Sequence, residues 1–190
     1  MDYKQIKPKT MTKKFKHSSE SAVILSQLML PSHSNFGGKI HGGFILSLLD
    51  QVAFACASKH SEHYCVTASV DRVDFLNPVE VGELLTLKST VNYVGRTSMV
   101  VGVRVEAEHI QDGSIKHCNS SYFTMVAKDQ NGKSIEVPGL ELHSEDDYRR
   151  FIKNIKRMEN RTKHDEIFSN FTFDKQEFQE ILKAYNVQMK

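Results

Sequence analysis

Tryptophan is absent from the 190 residues, and only three cysteines and four prolines occur. The cysteines, Cys56, Cys65 and Cys118, are an odd number without metal-ligand spacing, which excludes a disulfide framework and a zinc site. Each lies in an apolar or strand-like stretch where a small hydrophobe serves as well, so a reducing, cytoplasmic compartment is expected. No apolar stretch approaches the roughly twenty residues of a membrane span, because Asp50 interrupts the longest one. An excess of one charge is also missing: 25 Lys and Arg face 23 Asp and Glu, a net charge of +2. That balance gives no ground for nucleic acid or a membrane surface as partner of the body of the protein. Internal repeats and low-complexity tracts are absent too.

What is present is ordinary for one globular domain with tails, with 39% apolar and 25% charged residues. Charge is uneven only locally. The segment 1–16 carries Lys4, Lys7, Lys9, Lys13, Lys14 and Lys16 against a single acid, Asp2, so residues 1–20 read as a basic, solvated tail. The run AVILSQLML that follows, residues 22–30, is preceded by Glu20 and interrupted by Ser26 and Gln27. No small-residue cleavage site follows it, so a first strand is expected in place of a signal peptide.

After PSHSNFGG, a loop of turn formers, a helix should start near Gly42. The pattern FILSLLDQVAFACA is apolar on nearly every side, which predicts a central helix covered by protein all round. Residues 64–75, 83–94, 98–110 and 115–128 then alternate or are β-branched, with breaks at Asn77-Pro78, Gly95 and Asp112-Gly113. One strand, a helix and four more strands make an α+β fold, an antiparallel sheet wrapped around one long helix. Residues 21–140 would form that domain and residues 141–190 a charged helical extension. In the extension Ser144 caps one helix carrying Tyr148, Phe151, Ile152 and Ile155. A second helix starts near Asp174, with a Glu177 capping box, a Phe173–Phe178 staple, and a stripe of Phe178, Ile181, Leu182 and Tyr185.

The stretch SNFGGKIHGGFILSLLD, residues 34–50, sets the functional question. A carboxylate inside an apolar helix is either satisfied structurally or tuned for chemistry. Gly42 and Gly43 open that helix with backbone N–H groups bare of side-chain cover, at the positive end of the helix dipole. That is an oxyanion site. The glycines also admit a plain packing role, a tight turn and a close helix–sheet approach. Asp50 lies seven residues beyond Gly43, about 10 Å along a helix axis, too far for both to meet one reacting carbon. Two chains related by a two-fold axis, each Asp50 facing the other's Gly43, would close two equivalent sites, so a dimer at least is expected.

The stretch from Asn35 through GGKIHGGFILSLLD, with VTASVDRVDFLNPVEVGE (66–83), VNYVGRTSMVVGVRVEAE (91–108) and FTMVAKDQNGKSIEVP (123–138), resembles the hotdog-fold acyl-CoA thioesterases. Within them it is most similar to the brain-type and bacterial medium-to-long-chain acyl-CoA hydrolases, over roughly residues 20–140. The resemblance implies that Asn35 and Asp50, from different subunits, face the thioester, and that the Gly43 N–H, with Gly42, points at its oxygen. It places Thr67 near the attacking water, and Gly95, Arg96, Thr97 and Ser98 against the coenzyme A arm. His41, grouped with the substrate-contacting residues, stands where the closest relatives usually have phenylalanine. Histidine there belongs to the phenylacetyl-CoA branch, a departure that bears on acyl chain length. Relatives of this kind assemble as hotdog dimers, commonly three to a homohexamer. The partners implied are acyl-CoA and other copies of the chain, with no nucleic acid, no membrane span and no resident cofactor, coenzyme A being part of the substrate.

Thioester hydrolysis needs a nucleophile and stabilisation of charge on the carbonyl oxygen, while a thiolate leaves without much acid help. The expected mechanism has the Gly43 N–H hold the oxygen while Asp50 activates water, with Asn35 positioning the water or the carbonyl. Direct attack by Asp50 through an anhydride is the alternative route. Either needs Asp50 ionised, so donors such as Asn35 or Thr67 must offset the cost of burying the charge. Among rivals, a hydratase would employ His41 with an aspartate, and a metal site would need His33, His41 and Asp50 at spacings that fit no zinc or iron pattern. A non-catalytic acyl-CoA sensor would normally carry a DNA-binding unit, and residues 1–20 hold no helix-turn-helix pattern.

Overall fold

A computed structural model describes residues 14–172 and 175–188. The chain divides into two compact units, Met1–Asn154 and Ile155–Lys190. In the first, a five-stranded antiparallel sheet has the order β2-β4-β5-β6-β3, from strands β2 (Val23–Leu28), β3 (Tyr64–Val70), β4 (Leu84–Val94), β5 (Ser98–His109) and β6 (Ser114–Lys128). These are the five strands read from the alternation. Helix α2 (Gly42–Ser61) is the expected central helix, starting at the expected glycine and ending where Glu62 turns left-handed with φ 62°. The β5–β6 hairpin turns on Gly113, at φ 72°, with the Gly113 N–H donating to the His109 carbonyl at 2.8 Å. Only glycine takes that backbone conformation without strain.

The core forms where α2 lies on the sheet. Ile45, Leu48, Leu49, Val52, Ala53, Cys56 and Ala57 pack with Leu85, Leu87, Val91, Met99, Val101, Phe123 and Met125, all at most 5% exposed. Each fully buried large side chain contributes about 1.5–3 kcal/mol. The three cysteines are free and buried, filling space as small hydrophobes.

Three features differ from expectation or were not legible. The helix is not covered all round: Gly43, Leu46, Ser47, Asp50, Gln51 and Phe54 form an exposed face at helical spacing. A single curled sheet covers only one side of a helix, so the apolar residues Leu46 and Phe54 are left without a partner layer. Strand β3 ends at Val70, not near residue 75, after a register shift between Thr67 and Ser69. Beyond it the chain stays beside β6 through isolated bonds: Asp71 N–H to the Tyr122 carbonyl, Asn119 Nδ2 to the Asp74 carbonyl, Leu76 N–H to the Cys118 carbonyl and Asn77 Nδ2 to the His117 carbonyl. Side-chain amides here do the work of a ladder. Lastly, two three-residue strands, β1 (Phe15–His17) and β7 (Gly139–Glu141), pair in parallel. A Cβ on Gly139 would lie 2.4 Å from the Phe15 ring, so the pairing depends on that glycine.

Of the expected basic tail, residues 1–13 lie outside those described; the rest forms β1 and the short helix α1 (Ser18–Ser21). Helix α3 (Glu145–Ser169) opens at the expected cap: the Ser144 hydroxyl accepts from Asp147 N–H at 3.1 Å, and the Asp147 carboxylate accepts from Ser144 N–H at 2.9 Å. Phe151 packs on Tyr93 with ring centroids 5.0 Å apart. In the second unit, α4 (Lys175–Leu182) carries Phe178, whose ring lies 5.5 Å from that of Phe171. Phe173 and Asp174, and with them the expected staple and helix start, lie outside the described residues, as does the Glu177 side chain.

Candidate active site

Residues 34–41 form a tight loop organised by Asn35. Its side-chain Oδ1 accepts from Gly37 N–H at 2.9 Å and Lys39 N–H at 3.2 Å, and its backbone N–H donates to the Lys39 carbonyl at 2.7 Å. Gly38 closes the turn at φ 75°, a conformation that explains a glycine there without any ligand. The Asn35 oxygen is thereby committed to the loop, and the amide NH2 is the group left for a substrate. Phe36 stands fully exposed at the loop tip.

His41 is the N-cap of α2. Its Nδ1 accepts from Gly43 N–H at 2.9 Å, while its own N–H donates to the His33 carbonyl at 2.9 Å. His33 in turn stacks on Phe44 with centroids 4.0 Å apart. A Cβ on Gly43 would come 2.9 Å from His41 Cε1, so the glycine is needed by this cap as well as by any oxyanion role. For Gly43 N–H to reach a thioester oxygen, the imidazole has to turn aside. Gly42 is approached by the Phe75 ring, 3.4 Å from where its Cβ would be.

Asp50 is exposed on the open face of α2 and not buried as the apolar pattern suggested. The correction has the same cause as the open face itself. Its Oδ1 accepts from the Thr67 hydroxyl at 2.6 Å, which makes a carboxylate held at one oxygen with the other free. Thr67 Oγ1 also lies 3.5 Å from Met125 Sδ; its single proton goes to the stronger acceptor, the carboxylate. The pair stands in an open groove of about 610 Å³ between α2 and β3, lined by Asp50, Gln51, Phe54, Tyr64, Cys65, Val66 and Thr67. Gln51 Nε2 donates to Ser47 Oγ at 3.1 Å along the same face. Burial raises the Cys65 thiol, only partly offset by the Ser61 hydroxyl 3.3 Å away, so it lines the groove as a neutral thiol and not as a nucleophile.

The chain thus brings Asp50 to Thr67, and brings Asn35 near the start of α2, but it does not bring the two groups together. Gly95, Arg96, Thr97 and Ser98 form the β4–β5 turn, with Gly95 N–H donating to the Ser98 carbonyl at 2.7 Å and Arg96 pointing outward, 80% exposed. Ser98 pairs with Val126, which pairs with Val66 of the groove. The turn therefore sits two strands, about 10 Å, from the groove at the same end of the sheet. Phe54 and Tyr64 were missed in the sequence; Phe54 was findable as the aromatic four residues after Asp50, on the same helix face.

A curled antiparallel sheet packed on one long helix, with an open groove between them, is the hotdog architecture. A thioesterase superfamily model matches residues 37–114. Protein VdlD of Helicobacter pylori is 42% identical over 146 residues, covering 77% of this chain and 83% of that one. A hexameric acyl-CoA thioesterase of known structure is 38% identical with TM-score 0.77, over 80% of this chain and 97% of that one. An acyl-CoA hydrolase from Staphylococcus aureus, solved with butyryl coenzyme A, coenzyme A and coenzyme A disulfide, is 30% identical with TM-score 0.75, over 88% and 98%. Alanine variants of that S. aureus hydrolase have also been solved, at an asparagine, an aspartate 15 residues later and a threonine 17 further on. The chain belongs to the thioesterase superfamily and has its hotdog fold. Among the described residues no helix is long and apolar enough to cross a membrane.

Proposed function

We propose that the chain hydrolyses acyl-CoA to a carboxylic acid and free coenzyme A at sites shared between two copies of itself. The observation that carries the reading is the Asp50–Thr67 pair, 2.6 Å apart, on an uncovered helix face. The spacing Asn35, Asp50, Thr67 equals that of the three altered residues in the S. aureus hydrolase, which supports assigning these side chains to the chemistry. Asp50 acts as base toward water or as nucleophile toward the carbonyl carbon, and Thr67 holds it oriented. The partner copy supplies its Asn35 amide and, with its His41 turned aside, the Gly43 N–H at a helix N-terminus to hold the carbonyl oxygen. The tetrahedral intermediate collapses with expulsion of the coenzyme A thiolate. Water, carboxylate and thiolate supply all the chemistry, so no resident metal or cofactor is part of the proposal. Gly95, Arg96, Thr97 and Ser98, at the groove's end of the sheet, are assigned to the coenzyme A arm, with the exposed Arg96 suited to its phosphates. Likeness to a hexameric thioesterase supports a homohexamer of three dimers, and three free thiols support a cytoplasmic location.

The test is thiol release from hexanoyl-CoA by the native chain and by Asp50→Asn. A loss of about 10²–10⁴-fold with oligomeric state retained is expected for removal of a base. Equal rates would remove Asp50 from the chemistry.

A further inference from the structure

The groove has two unlike ends. Toward the N-terminus of α2 its neighbours are Ser47 and Gln51, hydrogen-bonded to each other. Toward the C-terminus its walls are Phe54 and Tyr64, with 38% and 63% of their surfaces exposed. Phe54 follows Asp50 by one turn on the same helix face, and Tyr64 opens β3 opposite it. Two large aromatic rings left open beside a carboxylate are a poor place for polar matter and a good one for hydrocarbon.

The rings also touch. Their centroids are 5.6 Å apart at an interplanar angle of 62°, an edge-to-face contact. A polymethylene chain needs about 4 Å of carbon–carbon clearance on each side, so none passes between rings already in contact. We propose that Phe54 and Tyr64 close the acyl end of the groove and make the chain selective for short acyl groups. The inference rests on the hydrolase reading above. Four residues of helix separate Asp50 from Phe54, about 6 Å of rise. With C–C bonds of about 1.5 Å advancing the chain by about 1.3 Å each, that length holds an acyl group of about four to six carbons.

The experiment is kcat/KM for acetyl-, butyryl-, hexanoyl-, decanoyl- and palmitoyl-CoA with the native chain, Phe54→Ala and Phe54→Leu, each checked for oligomeric state by size exclusion. The native chain should favour butyryl- or hexanoyl-CoA, and Phe54→Ala should raise the decanoyl-to-butyryl ratio by about tenfold or more, Phe54→Leu by less. A native chain that favours decanoyl- or palmitoyl-CoA overturns the closure, as does an unchanged ratio in an active, assembled variant. Dissociation of both variants with an unchanged ratio would assign the rings to the contact between copies and overturn it too. A native chain that hydrolyses none of the five overturns the hydrolase reading itself, a result distinct from a wrong chain length.

Discussion

At the scale of single residues, the placement of Thr67 matters as much as that of Asp50. A carboxylate on an exposed helix face has no structural need of a hydroxyl at 2.6 Å. Thr67 fixes one oxygen of Asp50 and so aims the other. Thr67→Val keeps the shape and removes the donor; kcat for hexanoyl-CoA should fall about tenfold or more with KM changed much less, and a larger change in KM than in kcat would make Thr67 a binding group. Asp50 stood out as a carboxylate inside an apolar helical run, whereas Asn35 and Thr67 were assigned only through the family resemblance, because an asparagine among turn formers and a threonine in a β-branched strand are ordinary. The His41 cap was not legible, because the direction of a side chain at a helix start depends on local backbone angles and on the bare Gly43 N–H within its reach. The groove's aromatic end escaped notice for a related reason: Phe54 in an apolar run looks like core until the sheet is seen to cover only the opposite side.

At the scale of elements, α2 was readable from its start near Gly42 through Ala57, short of its end at Ser61, and its ends are both satisfied by side chains. At its C-terminus Lys16 Nζ donates to the His60 carbonyl at 3.0 Å. His60 itself is fully buried, its Nδ1 3.2 Å from Ser21 Oγ and its Nε2 3.3 Å from the Pro138 carbonyl, so it ties α2 to α1 and to the chain entering β7. Burial holds this imidazole below its ordinary 6.5; the Pro138 carbonyl and the charge of Glu20 oppose that shift, and the charge of Lys16 adds to it. Because the folded value is lower than the unfolded one, the unfolded chain takes up the proton first. Stability is therefore present above about pH 6.5 and is lost as pH falls toward the folded value. The thermal unfolding temperature of the native chain should drop between pH 7 and 5, and His60→Gln should flatten that drop. An unchanged slope would place the pH dependence elsewhere. Strands β2, β4, β5 and β6 were legible within a residue or two, since alternation and turn residues agree there. The early end of β3 was not, because residues 71–75 still alternate while the ladder gives way to the Asn77 and Asn119 side chains.

At the scale of the molecule, one chain holds two half-sites on the proposed reading. Asn35 and Gly43 belong to the helix start, Asp50 and Thr67 to the groove about 10 Å further along, and the face between them, with Leu46 and Ser47, lies uncovered. On that reading, a two-fold pairing of α2 faces would join the half-sites and cover Leu46 in one step. The sequence already implied this, since seven residues of helix cannot be bent to one carbon atom. It could not reveal the uncovered face, which depends on how far the sheet curls. The most direct test is complementation. Asn35→Ala and Asp50→Ala chains, each inactive alone, are unfolded together, refolded as a mixture and assayed for thiol release from hexanoyl-CoA. If sites are shared, random pairing makes half the dimers mixed, each with one intact site of two, and about a quarter of native activity returns. A mixture no more active than its two parents would show that each chain works with its own residues, and would contradict the shared site.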